Sequence, residues 1–209
     1  MMTELRSPKV VAAGCMAAGL GVLGTLVVVG LLSGSASAVE LPPVARQMHA
    51  FAPPPLQPGA LPTNVATGLE RMADPRSHGA PMLGEARRLR GNLGTNHVAL
   101  FAAPTSGGVV CFLVDERTYV GSCASEFSRA QGNVAVALYF GEGVPFTVAG
   151  LASDEVKGIS VVVNGERRVA SLENNVFFWQ SDSAAVTRDS LDGLRVVQAD
   201  GTSIALATP

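Results

Sequence analysis

Hydrophobic positions follow two different patterns in this chain. From Val10 to Leu32 there are 23 residues without a charge, VVAAGCMAAGLGVLGTLVVVGLL. At about 1.5 Å per helical residue such a run spans a hydrocarbon core of roughly 30 Å, so residues 10–32 predict a transmembrane helix or a long signal h-region. From His97 onward the apolar runs are short, with turn residues between them. They predict strands near 97–103, 109–115, 119–124, 133–140, 145–150, 158–163, 167–172, 175–180, 194–199 and 202–207. Val98, Leu100 and Ala102 alternate with Ala99 and Phe101, and Ile159, Val161 and Val163 alternate with Ser160 and Val162. Asn164-Gly165 and Asp200-Gly201 predict two-residue hairpins, because type I′ turns need positive φ at both positions. Regular strand spacing without helical intervals predicts an all-β domain over residues 91–209, an antiparallel β-sandwich (Ig-like or similar).

Between the two patterns lies a Pro-rich stretch. Nine of the thirteen prolines fall within residues 39–81, including Pro42-Pro43 and Pro53-Pro54-Pro55. Residues 39–90 therefore predict an extended, semi-rigid stalk. Short helical pieces are expected at Val65–Met72 and at Leu83–Leu89, the second carrying Arg87, Arg88 and Arg90 on a solvated polar side.

The apolar run sets the expected compartment. Ser33-Gly34-Ser35 would end a helix, and Ala36-Ser37-Ala38 fits the small-x-small pattern of signal peptidase, with Ala36 and Ala38 at the cleavage positions. A secretory h-region is usually about 7–15 residues, so length favours a retained single-pass anchor over a cleaved signal. Arg6 and Lys9 precede the run and the first basic residue after it is Arg46. The positive-inside bias then puts residues 1–9 in the cytoplasm and the C-terminal part outside the cell membrane. The lipid bilayer is the expected partner of residues 10–32. Gly30 and Gly34 form a GxxxG pair that would permit a weak helix dimer, although tolerated filler is the plainer reading.

Charge narrows the partners. Net charge is −2, and residues 91–209 carry seven Lys or Arg against twelve acids, a net of −5. An acidic folded part argues against nucleic acid. Thirteen Arg against two Lys, with abundant Ala, Gly and Val, fits a GC-rich bacterial genome and hence a bacterial envelope. Cys15 lies in the apolar run, which leaves Cys111 and Cys123 as an even pair in an oxidising compartment, most simply a disulfide. A reactive cysteine would want a base nearby in sequence, and the histidines are His49, His78 and His97.

Ala60-Leu61-Pro62, Ala86-Arg87-Arg88-Leu89, VALFAAPTSGGVVCFLV with Gly121-Ser122-Cys123, and VAGLASDEVKGISVVVNGE with ENNVFFW resemble actinobacterial envelope proteins. In that group an N-terminal membrane helix and a Pro-containing stretch precede a two-cysteine β-domain. The resemblance covers roughly residues 50–209. It implies compartment and architecture, and carries over no catalytic residue.

Chemistry is sparse. G-x-S-x-G, HExxH and CxxC are all absent from the sequence. Ser77-His78-Gly79 is similar to the L,D-transpeptidase motif, but Ala80 stands where the nucleophilic Cys would be. Asp154-Glu155 and Asp189…Asp192 read as solvated acidic turns. No cofactor and no metal is expected. In Val176-Phe177-Phe178-Trp179, Phe177 and Trp179 share one strand face. They are a candidate partner patch unless both faces of the sheet are covered. The sequence thus predicts a non-catalytic, membrane-anchored envelope protein whose β-domain contacts another envelope protein or wall glycan. A wall-acting hydrolase or transferase is the alternative, as is a secreted inhibitor if the signal is cleaved.

Overall fold

The computed structural model describes residues 40–74, 76–115, 120–141, 144–183 and 185–207. The segment 10–32, Ala36 and Ala38, and residues 116–118 of the hairpin expected at Asp115–Thr118 between the cysteine strands lie outside them. Among the described residues no helix is long and apolar enough to cross a membrane.

Twelve strands form three antiparallel four-stranded sheets. In chain order they are β1 (Arg87–Leu93), β2 (Val98–Pro104), β3 (Val110–Asp115), β4 (Val120–Ala124), β5 (Val134–Gly141), β6 (Val144–Ala152), β7 (Val156–Val163), β8 (Glu166–Val169), β9 (Ser171–Glu173), β10 (Val176–Gln180), β11 (Leu191–Gln198) and β12 (Ser203–Ala207). The first sheet runs β1-β2-β3-β4, the second β5-β6-β10-β9 and the third β12-β11-β7-β8. Among the described residues the helices are α1 (Pro43–Arg46), α2 (Thr63–Met72) and short 3-10 turns. The all-β antiparallel expectation holds, with three stacked sheets instead of two.

Period-2 alternation explains the stack. In the second sheet Ala149, Leu151, Val176 and Phe178 face Leu100, Ala102, Phe112 and Val114 of the first sheet. The residues between them, Phe146, Val148 and Phe177, face Ile159, Val161, Leu194 and Val196 of the third. The second sheet is therefore buried on both sides. The first sheet is too, because the outward set Phe101, Ala103, Cys111 and Leu113 is covered by Val65 and Leu69 of α2. Only Val65, Leu69 and their neighbours on one stripe of α2 are apolar, as a helix lying on a sheet requires.

The structure corrects the stalk. Val44, Ala45, Met48, Ala50 and Phe51 and the apolar side of Thr63–Met72 pack against the sheets, and the expected boundary at 90/91 falls inside β1. Val44, Ala45, Met48, Ala50 and Phe51 sit in the core between the first and second sheets, each at most 3% exposed. Prolines bar this segment from sheet ladders, but they do not bar its apolar residues from burial. The expected helix at Leu83–Leu89 is a 3-10 turn, Leu83–Glu85, followed directly by β1. Arg87 is accordingly not on a solvated helix face. It is 7% exposed. Its guanidinium lies 5.3 Å from the centre of the Phe51 ring and donates to the Pro53 and Glu85 carbonyls.

Two turns also differ. The strand expected at 167–172 is two strands in different sheets: β8 pairs with β7 and β9 with β10, with buried Ala170 at the crossing. Asn164 and Gly165 take positive φ (48° and 77°) as expected of a two-residue hairpin. Gly201 is positive (81°), but the loop from Ala199 to Thr202 holds four residues and closes through Gln198 N–H to Thr202 O, 2.9 Å. A hairpin the expectation missed is Asn174-Asn175, at φ 50° and 61°.

Burial of the Phe51 ring makes the packed N-terminal segment testable. Phe51→Ala is expected to lower the unfolding free energy by about 3 kcal/mol, read by urea titration. A free stalk would give no change.

Candidate functional site

Two side-chain clusters stand out from the apolar layers. The first joins the N-terminal segment to two hairpin ends. The 3-10 turn His49–Phe51 sits beside the β6–β7 and β9–β10 turns. Asp154 Oδ1 accepts from the His49 backbone N–H (3.0 Å), lies 2.7 Å from His49 Nδ1 and accepts from Asn175 Nδ2 (2.8 Å). Asn175 is 4% exposed. Its Oδ1 accepts from Ala50 N–H (2.9 Å) and its Nδ2 also donates to Ala152 O (2.9 Å). These groups line a cleft of about 260 Å³ with Ser153, Lys157 and Glu173.

A carboxylate beside an imidazole suggests acid–base chemistry, but the oxygen that orients His49 is already shared among three donors. Ser153 is buried, and its Oγ accepts from Glu155 N–H (3.3 Å). What the cluster does in this structure is hold residues 49–50 on the sheets. Partial burial pushes the Asp154 carboxyl up, but the hydrogen bonds from Asn175, the His49 backbone and the His49 imidazole outweigh it and hold the carboxyl below its usual value.

The second cluster lies under α2. Cys111 and Cys123 are direct cross-strand partners on β3 and β4 and form the disulfide. Cys111 is fully buried and Cys123 partly exposed. His78 brings its ring to them: donor atoms of His78, Cys111 and Cys123 lie within 4.8 Å of one another. His78 Nδ1 is buried without a hydrogen-bond partner, the one such side-chain atom among the described residues. The loop is fixed there by its backbone. Pro81 bridges to Thr105, Ala80 and Ser106 exchange bonds at 2.9 and 3.0 Å, and Thr105 Oγ1 donates to His78 O. Gly79 has φ 71°, and a Cβ there would meet Gly107 N at 2.4 Å, so the Gly of Ser-His-Gly is a matter of close backbone approach. A thiol pair with this imidazole could hold a soft divalent ion, yet both sulfurs are bonded to each other.

The remaining expected site residues fall elsewhere. Phe177 is fully buried, and Trp179 is partly buried and meets Phe146 edge-on at 6.3 Å. The patch read into Phe177 and Trp179 is therefore core, because the third sheet covers that face. His97 is an exposed turn residue at φ 52°. Asp192 accepts from Gly165 N–H, an ordinary turn contact. Local sequence showed no base near the cysteines; the fold supplies one from 33 positions before Cys111, out of the Ser-His-Gly segment.

The third sheet leaves one face open. Directly paired residues there form the rows Ala205–Arg195–Ser160–Val169, Ala207–Gly193–Val162–Arg167 and Ser203–Val197–Gly158. Val169 (80% exposed) and Val197 (38%) are the exposed large hydrophobics among the described residues. The chain matches no protein-family model, no curated protein and no solved structure.

The Asp154 cluster has a pH signature. A carboxyl held below its unfolded value adds stability that is fully present above that value, about 4, and is lost as pH falls through the folded value. Asp154→Ala is expected to be less stable by about 1–2 kcal/mol at pH 7. Its deficit should shrink as pH is lowered from 5 toward 2. Denaturant titrations across that range check both parts.

Proposed function

We propose that this protein is a non-catalytic cell-envelope protein, anchored by residues 10–32, whose β-domain faces outward and makes contacts with another envelope protein or with wall glycan. The observation that carries this reading is the open face of the third sheet. A sheet face is normally either covered or polar, and this one presents small residues, Val162, Val169 and Val197. Its three rows hold Arg167 and Arg195 and no acid, although residues 91–209 carry a net charge of −5. A flat face of that kind suits an extended anionic or mixed-polarity surface better than a small ligand, which would call for a concave pocket. Beside it, Ala205 and Ala207 also line an apolar groove of about 470 Å³ with Val134, Val136, Leu194 and Leu206.

Intact mass of the native protein in membrane and medium fractions tests the anchor. The full-length chain in the membrane, with Cys111 and Cys123 blocked from alkylation, is the expected result. A product in the medium beginning at Val39 would overturn the anchor and favour the secreted inhibitor. Arg167→Glu with Arg195→Glu tests the face: the doubly substituted protein should keep its melting temperature while losing most of its crosslinks to envelope neighbours.

A further inference from the structure

Burying an imidazole nitrogen without a partner is costly, so His78 Nδ1 asks for the state in which it has one. In the oxidised protein a ring nitrogen of His78 lies within 4.8 Å of two sulfurs that carry no proton. A second polar group lies near the disulfide. Cys123 Sγ lies 3.9 Å from the carbonyl oxygen of Met72 at the end of α2. A disulfide sulfur cannot donate to that oxygen, and a thiol can. Once the disulfide is opened, thiols there would have a ring nitrogen of His78 and the Met72 carbonyl as neighbouring polar groups.

We propose that Cys111–Cys123 is an exchange-competent disulfide, that it oxidises thiols of a partner molecule, and that His78 is the group that takes and returns the proton. A partner thiolate attacks Cys123 Sγ, the partly exposed sulfur. The S–S bond breaks, a mixed disulfide forms at Cys123, and Cys111 Sγ leaves as a thiolate. Cys111 is fully buried, so that charge needs a proton at once, and the His78 imidazolium delivers it from a ring nitrogen and regains a proton from solvent. A second thiolate of the partner then attacks its own sulfur in the mixed disulfide. Cys123 is released as a thiolate, takes up a proton and turns to the Met72 carbonyl. Two partner thiols become one disulfide, and the protein's disulfide becomes two thiols. The partner is by chemistry a dithiol, such as an unpaired cysteine pair in another exported protein.

The groups around His78 are few. Asp74 lies in the same turn, with its carbonyl accepting the His78 N–H at 2.7 Å. The Asp74 carboxylate is engaged by Arg76 N–H and Ser77 Oγ. The turn from Thr105 to Gly108 brings no titratable side chain, β3 and β4 bring the two sulfurs, and the end of α2 brings the Met72 carbonyl.

The test reads thiol chemistry in the folded full-length protein. Dithiothreitol should open the disulfide without denaturant. Iodoacetamide should then alkylate the reduced protein with an apparent pKa below about 7.5, against about 8.5 for an ordinary cysteine. His78→Ala should raise that value by at least one unit and slow reduction at pH 7 about tenfold. The proposal is overturned if the disulfide opens only in denaturant, or if wild type and His78→Ala give the same pH profile. Should His78→Ala fail to fold, the wild-type profile decides alone: native and urea-unfolded proteins must titrate differently, and coincidence refutes the idea.

Discussion

A strand can serve two hydrophobic cores only if both of its alternating sets of side chains are apolar, and that requirement organises the whole structure. β10 states it most plainly. Val176 and Phe178 belong to the core against the first sheet, and Phe177 and Trp179 to the core against the third. The neighbouring strand has to make room for a ring. Phe177 is paired with Gly150, and a Cβ at Gly150 would meet the Ala135 carbonyl at 2.0 Å and the Phe177 ring at 2.6 Å. One layer further out the same logic applies to β2 and β3, whose second faces need α2 as a lid. The stack ends at the third sheet, whose second face mixes Arg167, Arg195, Ser160 and Ser203 with its valines and alanines.

Much of the strand pattern was legible because it is a local property of period 2. The ten runs expected from alternation all fall on strands, and Asn164-Gly165 makes its turn through the positive φ that the two residues tolerate. What was not legible depends on what the second face meets. Val176-Phe177-Phe178-Trp179 reads equally as a two-core strand or as a core strand with a sticky outer face, and only the third sheet decides. Arg88, Arg90 and Gly91 hid β1, since charge and glycine lower strand propensity while cross-strand pairing with β2 overrides it. The sheet switch at Ala170 left no mark, because a small buried residue is common in any strand.

The Pro-rich segment shows the same limit from the other side. Proline content predicts that residues 39–81 build no long ladder, and the described residues of that stretch contain no strand, with Pro81 making an isolated bridge to Thr105. It does not predict where their apolar residues go. Met48 and Phe51 fill the core beside Ala102, Ala137 and Ala149, whose short side chains leave volume between the first and second sheets. The segment is held by a polar clasp as well. Asn175 bonds Ala50, Asp154 bonds His49, and buried Arg87 lies on the Phe51 ring while bonding Pro53 O. A stalk and a core-filling strap have the same composition; burial separates them.

The disulfide sits where this layering makes an interior of uneven access. Cys111 is on the inner strand β3, with its side chain under α2, and Cys123 is on the edge strand β4, so direct pairing joins a buried sulfur to a partly exposed one. A disulfide serving only to staple a hairpin has no use for an imidazole, and apolar cover from α2 would be the cheaper neighbour. Instead the backbone of residues 77–81 is zipped to residues 104–108, with two glycines in close contact, and the outcome is a ring nitrogen against the sulfurs. Two features that looked unrelated along the chain, an incomplete Ser-His-Gly motif and a cysteine pair, are one site in space.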